Sequence, residues 1–381
     1  MTQIAPDSAD QADPLLAVDR AVADLRRGTP VALAAEDGLA VVLAGEAVTD
    51  AALARLADIA GTAPVLAVTG RRATALGLAR TEAEAVTIAA ATWDADQIRR
   101  LADPALGAAG AIPHPDRVGA AAQDGCGTAA IRLTKIARLL PAALIATVDP
   151  APADGAAPAD GMDWARARGL QFVDGARIAA YPTDSARSLR AVSEARVPLE
   201  GAEDTRILSF RPTDGGLEHL AVVIGSPDPA EPVLVRLHSE CFTGDLLGSL
   251  RCDCGDQLRG AVREIAAQGG GILLYLAQEG RGIGLTNKLR AYTLQDEGFD
   301  TYDANGQLGF DDDERVFLPA AEILRRLGFA RVRLMTNNPR KLDGLAHAGI
   351  EVVERVAHIF PANGHNERYL DSKAKRAGHL F

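Results

Sequence analysis

The chain has 381 residues, of which 48% are hydrophobic, 24% charged and 4% aromatic, and its formal net charge is −11. This balance is typical of one or two soluble globular domains and excludes fibrous and low-complexity classes. Four cysteines are too few for a disulfide-stapled secreted domain, and the acidic start, Met1 to Asp13, lacks the order of a signal peptide. No apolar run reaches the ~18 residues of a membrane span, so we expect a cytoplasmic protein. The acidic charge argues against a nucleic-acid-binding surface but allows a local basic pocket.

Composition changes partway along the chain. From Val18 to Tyr181 the sequence is rich in Ala and contains a single lysine, whereas beyond residue 206 it is denser in Gly, Asp, His and Lys. Pro150 to Gly161 is typical of a surface loop, and Pro182 to Asp204 is a second such region, polar and interrupted. We place the domain boundary there, near residues 185 to 205, which predicts domains over 1–187 and 188–381.

Hydrophobic periodicity predicts an α/β (α+β) fold in both halves, with a mixed sheet and packed helices in each domain. In the first half we expect strands at Pro30–Ala35, Ala40–Leu43, Pro64–Val68 and Ala143–Val148, and helices at Val18–Arg27, Asp50–Ala60 and Ala129–Leu139. In the second half the expected strands are Ile207–Phe210, His219–Ile224, Val233–Leu237, Gly271–Leu276, Val332–Thr336 and Glu351–Val353. The expected helices there are Asp256–Gln268, Leu285–Glu297, Phe317–Leu327 and Arg340–Ala348.

Three of the four cysteines, Cys241, Cys252 and Cys254, fall in one short segment. Thiolates at this spacing suit a soft metal, most often zinc, and three ligands leave one coordination position open for water. An open position lets the metal lower the pKa of bound water to about 7, as in catalytic sites. The alternative is that Cys241 is a core residue and the other two are incidental. The polar run Arg236-Leu-His-Ser-Glu240 directly before Cys241 favours a site.

Two further segments follow predicted strands. Gln278 to Lys288 is a glycine-rich turn that opens a helix and exposes backbone N–H groups to an anion, or is simply a tight turn. The segment Thr336-Asn-Asn-Pro-Arg-Lys341 is either a functional loop or an ordinary turn. Asp311-Asp-Asp-Glu-Arg315 precedes a predicted helix, where acids usually favour the macrodipole and solvent.

From about Ser188 to Phe381 these residues closely resemble the GTP cyclohydrolase II family, which opens the guanine ring at the start of riboflavin synthesis. The motifs that carry the resemblance are Arg236-Leu-His-Ser-Glu-Cys-Phe-Thr-Gly-Asp, Leu250-Arg-Cys-Asp-Cys-Gly, Gln278-Glu-Gly-Arg-Gly-Ile-Gly-Leu, Ala291-Tyr-Thr-Leu-Gln-Asp-Glu-Gly, Gln307-Leu-Gly-Phe, Met335-Thr-Asn-Asn-Pro and Tyr369-Leu-Asp-Ser-Lys. The resemblance implies a zinc-dependent enzyme, with Mg²⁺ on the GTP phosphates, that releases formate and pyrophosphate as a homodimer.

The resemblance also assigns residues. Cys241, Cys252 and Cys254 would hold zinc, Asp313 would accept a proton, and Arg315 would be the nucleophile toward the α-phosphate. Tyr292 would accompany complete release of formate. The contacts to GTP would fall on Arg236, Leu237, His238, Ser239, Glu240, Gln257, Glu279, Gly280, Arg281, Thr301, Thr336 and Lys341. Two alternatives share most of these motifs: a relative that makes another product from GTP, and a nucleotide-binding zinc protein without turnover.

The first half is similar, more faintly, to 3,4-dihydroxy-2-butanone 4-phosphate synthase, a family often fused ahead of GTP cyclohydrolase II. The acidic loop of that family is missing, because Glu36-Asp37-Gly38 turns straight into Leu39. Its metal-binding histidine is missing as well, since the chain reads Gly125-Cys-Gly-Thr128 at that point. We therefore expect a degenerate domain without synthase activity, in which Cys126 is a small buried residue.

Overall fold

The computed structural model of the chain describes residues 14–89, 92–107, 118–149, 161–358 and 364. Contacts divide the chain into two compact units, Met1–Tyr181 and Pro182–Phe381, and each unit has one seven-stranded sheet. Both sheets contain parallel and antiparallel neighbours and carry packed helices, which confirms the predicted fold class. The loop expected at Pro150–Gly161 lies outside the described residues except for Gly161, which begins a helix.

The first unit contains seven strands in the order β5-β4-β3-β6-β2-β1-β7, of which β1 and β7 pair in parallel. The strands are β1 (Val31–Ala35), β2 (Gly38–Ala44), β3 (Val65–Thr69), β4 (Ala85–Ala89), β5 (Val118–Ala120), β6 (Ala142–Thr147) and β7 (Phe172–Asp174). The helices are α1 (Pro14–Arg26), α2 (Asp50–Ala60), α3 (Gly70–Ala75), α4 (Ala95–Ala102), α5 (Cys126–Ile136), α6 (Gly161–Ala167) and α7 (Gly175–Ser188). Cys126 is 5% exposed, within the core that α1 and α5 form on one face of this sheet, as the sequence predicts.

The second unit contains seven strands in the order β14-β13-β11-β12-β10-β9-β8. The strands are β8 (Arg190–Arg196), β9 (Thr205–Arg211), β10 (His219–Ile224), β11 (Val233–Ser239), β12 (Gly271–Leu276), β13 (Arg331–Met335) and β14 (Glu351–Val356). The helices are α8 (Cys254–Ala267), α9 (Leu285–Asp296), α10 (Thr301–Leu308), α11 (Leu318–Arg326) and α12 (Pro339–His347).

Both faces of the second sheet are covered. Along β10, Ala221 and Val223 join the core that includes α11, whereas Val222 and Ile224 join the core that includes α8. This alternation follows from the two-residue period of a strand and explains why β10 reads as one continuous apolar run. None of the helices in the described ranges combines the length and the apolar character needed to cross a membrane.

The central strands of this sheet position the functional loops. Strand β11 pairs in parallel with both β12 and β13, so the carboxyl ends of the three strands meet at one edge. The segments that follow them begin at Glu240, Ala277 and Thr336. Ligands of open α/β sheets bind at this edge, beyond the carboxyl ends of parallel strands.

The prediction of an irregular region from Pro182 to Asp204 is wrong for most of these residues. Helix α7 continues through Pro182 to Ser188, and β8 then pairs antiparallel with β9 at the edge of the second sheet. All seven residues of β8 are exposed, so the strand carries no pattern of buried and solvent-facing side chains. Backbone hydrogen bonds to β9 define this strand, and hydropathy cannot detect them.

Candidate active site

A cavity of about 520 Å³ opens among the loops at the carboxyl ends of β11, β12 and β13. Its volume lies in the range of small-molecule sites, ~300–1,000 Å³. The cavity is lined by every residue expected at the site except Leu237, whose side chain is fully buried in the sheet core. Chain segments up to 105 residues apart, from Arg236 to Lys341, are therefore brought to one place.

The three cysteines form a cluster in the cavity wall. Their Sγ atoms all lie within 4.8 Å of one another, and the Cys241 and Cys252 sulfurs are 3.7 Å apart. Cys241 follows β11, Cys254 begins α8, and a single π-helical turn, Phe242–Leu246, lies in the loop between them. Among the described residues, these three cysteines form the one group of ligand-type side chains close enough together to hold a metal ion.

Gly244 shows how tightly the loop closes around this cluster. A Cβ atom at position 244 would lie 2.6 Å from Cys252 Sγ and 3.0 Å from Cys241 Sγ. The backbone at Gly244 therefore lies so close to the sulfurs that a residue with a side chain would not fit at this position without a shift. This cradle and the soft donor set fit a thiolate-bound metal ion.

Lys288, on α9, is a buried cation beside the cluster. Its ammonium group donates to Cys241 Sγ at 3.1 Å, to Thr243 Oγ1 at 3.0 Å and to Glu279 Oε1 at 2.8 Å. Burial alone would lower the Lys288 pKa, but the Glu279 carboxylate and the Cys241 thiolate outweigh it and raise the pKa above its ordinary value. The pKa of the Cys241 thiol lies well below its usual range, because the Cys252 and Cys254 thiols and Lys288 hydrogen-bond to its sulfur.

Asp245 anchors the loop from its other side. Its carboxylate accepts hydrogen bonds from the backbone N–H of Cys241 at 3.0 Å and from the Tyr275 hydroxyl at 2.9 Å. His238 Nε2 lies 3.0 Å from both carboxylate oxygens, and its ring stacks on that of Tyr275. The predicted contact residue His238 is thus 3% exposed, and burial lowers its pKa below the usual value. These bonds fix the direction in which the chain leaves β11.

A second network forms the buried base of the cavity. Arg236 donates from Nη1 to the Met335 carbonyl at 3.0 Å and from Nη2 to Gln257 Oε1 at 2.5 Å. Gln257 in turn donates to Oδ2 of Asp253, the residue that precedes the first turn of α8. The complete burial of Arg236 lowers its pKa to about 10, which leaves the guanidinium charged at neutral pH. His358 Nε2 lies 3.0 Å from the Gln257 carbonyl and closes this network.

The acidic run brings Asp312 and Asp313 to the cavity, and the carboxylate of Asp313 is paired there. Asp313 accepts from Nε and Nη2 of Arg315 at 2.7 and 2.6 Å, and Arg340 lies 3.9 Å from the same carboxylate. Burial alone would raise the Asp313 pKa, but the paired Arg315 lowers it below the usual value. The carboxylate is therefore ionised at neutral pH, and its electrostatic partner is held at the same wall. The neighbouring Thr336 and Lys341 are buried too, and Lys341 Nζ donates to the Leu237 carbonyl at 2.6 Å.

The glycine-rich turn takes an unusual backbone path. Gly280 and Arg281 both have positive φ, 64° and 63°, and Arg281 is not a glycine. Arg281 is held by its carbonyl, which accepts from the backbone N–H of Glu314 at 3.1 Å, and by its side chain, which lies over the Tyr302 ring at 4.7 Å. The turn therefore projects a guanidinium from a constrained backbone into the cavity.

Tyr292 lies on α9, one turn after Lys288. The guanidinium of Arg251 lies 4.9 Å and the ammonium of Lys288 lies 5.7 Å from the centre of its ring. Burial raises the pKa of the phenol, so its proton is retained at neutral pH. Thr301, the remaining predicted contact, lines the same cavity at the start of α10.

Sequence reasoning missed several residues of the site. Lys288, Asp245, Tyr275 and His358 contact predicted site residues but were not assigned a role. Lys288 lies at the end of the glycine-rich motif, and Asp245 lies within the cysteine segment. Both therefore belong to segments that the sequence analysis had singled out. Only the folded chain brings His358 to Gln257, 101 positions earlier.

The fold and the cavity define the class of the chain: a two-domain α/β protein with a cation-lined, nucleotide-sized site beside a three-thiol cluster. The family model for GTP cyclohydrolase II matches residues 190–357. GTP cyclohydrolase-2 of Azospirillum brasilense is 57% identical over 369 residues, covering 96% of this chain and 94% of that protein. The chain belongs to the GTP cyclohydrolase II family of enzymes.

Two further matches cover different shares of the chain. GTP cyclohydrolase-2 of Escherichia coli is 53% identical over 193 residues, covering 51% of this chain and 98% of that protein. A solved two-domain 3,4-dihydroxy-2-butanone 4-phosphate synthase from A. baumannii covers 90% of this chain and 99% of that one, at 18% identity and a TM-score of 0.34. The Azospirillum brasilense relative, by contrast, is matched over both units.

Proposed function

We propose that the chain is a zinc-dependent GTP cyclohydrolase II. It hydrolyses the imidazole ring of GTP and releases formate and pyrophosphate, giving 2,5-diamino-6-(5-phospho-ribosylamino)pyrimidin-4(3H)-one, the first step of riboflavin biosynthesis. The observation that carries the proposal is that one cavity is lined by three thiols together with Asp313, Arg315 and Lys341. We place this activity in the cytoplasm, in a homodimer, with Mg²⁺ on the GTP phosphates.

Zinc suits the thiol cluster, because Cys241, Cys252 and Cys254 supply three soft ligands in a buried cradle. When bound, it would supply Lewis acidity and lower the pKa of water at the open coordination position. The chain's own residues do the remaining work at this wall. Asp245 and Glu279 hold the loop through the backbone N–H groups of Cys241 and Phe242, so the sulfurs stay in place as substrate enters.

The cations of the cavity are suited to a triphosphate. Arg281, Arg315, Arg340 and Lys341 line it, in a protein whose net charge is −11. Arginine binds phosphate oxygens through two parallel N–H donors, and a partly buried site strengthens each such bond. We infer that the phosphates lie at this wall and that the base faces the thiols.

Asp313 and Arg315 are a matched pair for proton transfer at the phosphate end. Arg315 donates to both carboxylate oxygens of Asp313. A phosphate group competes for the same guanidinium, and Arg315 would then turn from Asp313 toward the α-phosphate. The Asp313 carboxylate would be left with lone pairs to accept a proton, which is the role proposed for it.

The first unit is proposed to have no synthase activity of its own. In the described residues Asp37 accepts from the backbone N–H of Cys126 at 2.8 Å, so this carboxylate caps the start of α5. The buried Cys126 thiol has a pKa above its usual value, because of burial and the nearby Asp37. We propose that this unit contributes to folding, dimerisation or regulation.

The proposal is tested by incubating the purified chain with GTP and Mg²⁺, quantifying formate and identifying the nucleotide product by mass spectrometry. We expect equal amounts of formate, pyrophosphate and the diaminopyrimidine product. Cys254→Ser is the inactive variant, since a hydroxyl is a poor substitute for a thiolate ligand, and Cys126→Ala is its matched control. A formylated product would identify a relative with a different reaction, and bound but unchanged GTP would identify a binding protein.

A further inference from the structure

Lys288 has an environment that its place in the motif does not explain. Its side chain is 11% exposed and its ammonium group has three acceptors, Cys241 Sγ, Thr243 Oγ1 and Glu279 Oε1, all within 3.1 Å. An ammonium group has three N–H bonds, so these contacts use its full donor capacity. No donor is left for a substrate phosphate while these bonds stand. Lys288 is thus oriented toward the thiol cluster rather than toward the nucleotide.

An ion pair with Glu279 alone would be the simpler interpretation. Such a pair would leave Lys288 free to place its remaining N–H groups on any neighbouring oxygen. Instead one N–H points at the sulfur of a residue from the thiol cluster, 47 positions away in sequence. Three thiolates around a divalent ion carry a net charge of −1, and a buried net charge requires a partner. Lys288 places a positive charge directly against the Cys241 sulfur, in the same buried volume.

Glu279 links the other end of this arrangement to the glycine-rich turn. Its carboxylate accepts from the backbone N–H of Gly280 at 3.0 Å and of Phe242 at 2.6 Å, as well as from Lys288. Both loops that flank the cavity are therefore tied to one buried ion pair. The turn at Gly280 is thus connected through Glu279 and Lys288 to Cys241.

We propose that Lys288 is a positioning residue of the metal centre, an inference that rests on the proposed metal-dependent function. Its N–H donation to Cys241 Sγ withdraws electron density from that ligand and places a positive charge against it. Cys241, Cys252 and Cys254 would hold the metal, and Lys288 would tune the donor strength of the first of them. Through Glu279 the same ammonium group aligns the glycine-rich turn with the thiol cluster.

The test uses the full chain loaded with Co²⁺, whose sulfur-to-metal charge-transfer absorption reports on thiolate donation. The variants are Lys288→Met, which keeps length without charge, Lys288→Gln, which is the milder neutral change, and Lys288→Arg, which keeps the charge. Arg290→Gln removes a cation two residues away on α9, where Arg290 donates to Asn287 at 2.7 Å, and is the matched control. Absorption and competition by a chelator are both measured without GTP.

We expect both neutral variants to bind Co²⁺ about 10- to 100-fold more weakly and to absorb at longer wavelength than the parent chain. Lys288→Arg should recover at least half of the loss in Co²⁺ affinity, measured on a logarithmic scale. Arg290→Gln should match the parent chain in both affinity and absorption. Neutral variants with the parent's spectrum and affinity would overturn the proposal, as would an equal effect of Arg290→Gln. Formate release by the parent chain separately decides the proposed function, so the two failures are distinguishable.

Discussion

Asp313 and Arg315 form a two-point ion pair in which both carboxylate oxygens face nitrogen atoms of one guanidinium, at 2.7 and 2.6 Å. The two side chains are only 8% and 11% exposed. Both residues line the same cavity as the thiol cluster.

Asp313→Asn should abolish most turnover and leave metal content unchanged. The amide cannot accept a proton at neutral pH, and general acid–base groups contribute about 10²- to 10⁴-fold to rates. Formate release and metal content are measured on the same preparation. Asp256→Asn is the control, because its carboxylate forms an exposed ion pair with Arg259. Turnover by Asp313→Asn within tenfold of the parent chain would remove Asp313 from the proposed role.

Gly244→Ala should abolish metal binding by the chain. The added methyl group would meet two sulfurs, Cys252 at 2.6 Å and Cys241 at 3.0 Å, so the loop or the sulfurs must move. Gly306→Ala, in the middle of α10, is the control because a Cβ there meets nothing within 4 Å. It should stabilise the chain by about 0.5–1 kcal/mol. For both variants we measure metal content by atomic absorption and stability by thermal unfolding. Full metal occupancy in Gly244→Ala would contradict the inference that the site has no room for a side chain at position 244.

Tyr292→Phe should impair ring opening or formate release and leave metal binding intact. The phenol retains its proton at neutral pH because burial raises its pKa, so the hydroxyl can donate a hydrogen bond in the cavity. The phenylalanine ring preserves the packing under Arg251 and beside Lys288. The ratio of formate to total nucleotide product is the measurement. An unchanged ratio at an unchanged rate would show that the hydroxyl takes no part.

Acid should destabilise the second unit in part through His358. Burial and the nearby positive charge of Arg236 lower its pKa from 6.5 to about 4, while its Nε2 bond to the Gln257 carbonyl and the more distant Glu264 act in the opposite direction. Because the folded pKa is the lower one, this stability is fully present above pH 6.5 and is lost as the pH falls toward 4.

At pH 5 the loss should be about 2 kcal/mol, since one pKa unit corresponds to about 1.4 kcal/mol. His358→Gln should show a smaller decrease in unfolding free energy between pH 7 and pH 5 than the parent chain. Urea unfolding with chelator present measures this without a contribution from metal loss. Equal decreases in the two chains would show that His358 does not titrate in this interval.

A chain that begins at Pro182 should retain cyclohydrolase activity, whereas residues 1–181 should make no dihydroxybutanone phosphate from ribulose 5-phosphate. The cut falls within α7, and the part of this helix that remains has its own contacts in the second unit. Ser185 donates to Asp214 at 3.3 Å, and Arg326 donates to the Arg187 carbonyl at 2.8 Å. Synthase turnover by the first fragment would contradict the expectation, and so would a folded, metal-loaded second fragment that binds GTP without turnover.

Hydrophobic pattern located many of the buried elements but missed others, such as the largely buried β4 and α4. The bounds of α2, β10 and β12 agree with those expected, and each has a clear apolar face or run. Helix α7 escaped notice because Pro182 stands inside it, where proline usually ends a helix. Helix α10 escaped because a glycine and four polar residues, Thr301, Asp303, Asn305 and Gln307, interrupt its eight positions.

For the candidate site, too, the sequence predicted local features better than long-range ones. The three cysteines could be selected from their spacing, whereas Gly280 and Arg281 were assigned through the family resemblance. The geometry that relates them could not be predicted, because it depends on the parallel register of β11, β12 and β13. The ion pair of Lys288 and Glu279 joins two residues of one motif, yet its third contact, to Cys241, requires the folded sheet.

The left-handed backbone of Arg281 limits how far this protein can be stabilised by substitution. A non-glycine residue in that region costs about 1–3 kcal/mol, and glycine at the same position would recover much of it. A screen for heat resistance alone would therefore favour Arg281→Gly, which deletes the guanidinium over the Tyr302 ring. Engineers who seek a more durable catalyst should hold residue 281 fixed and look for gains in the exposed helices instead.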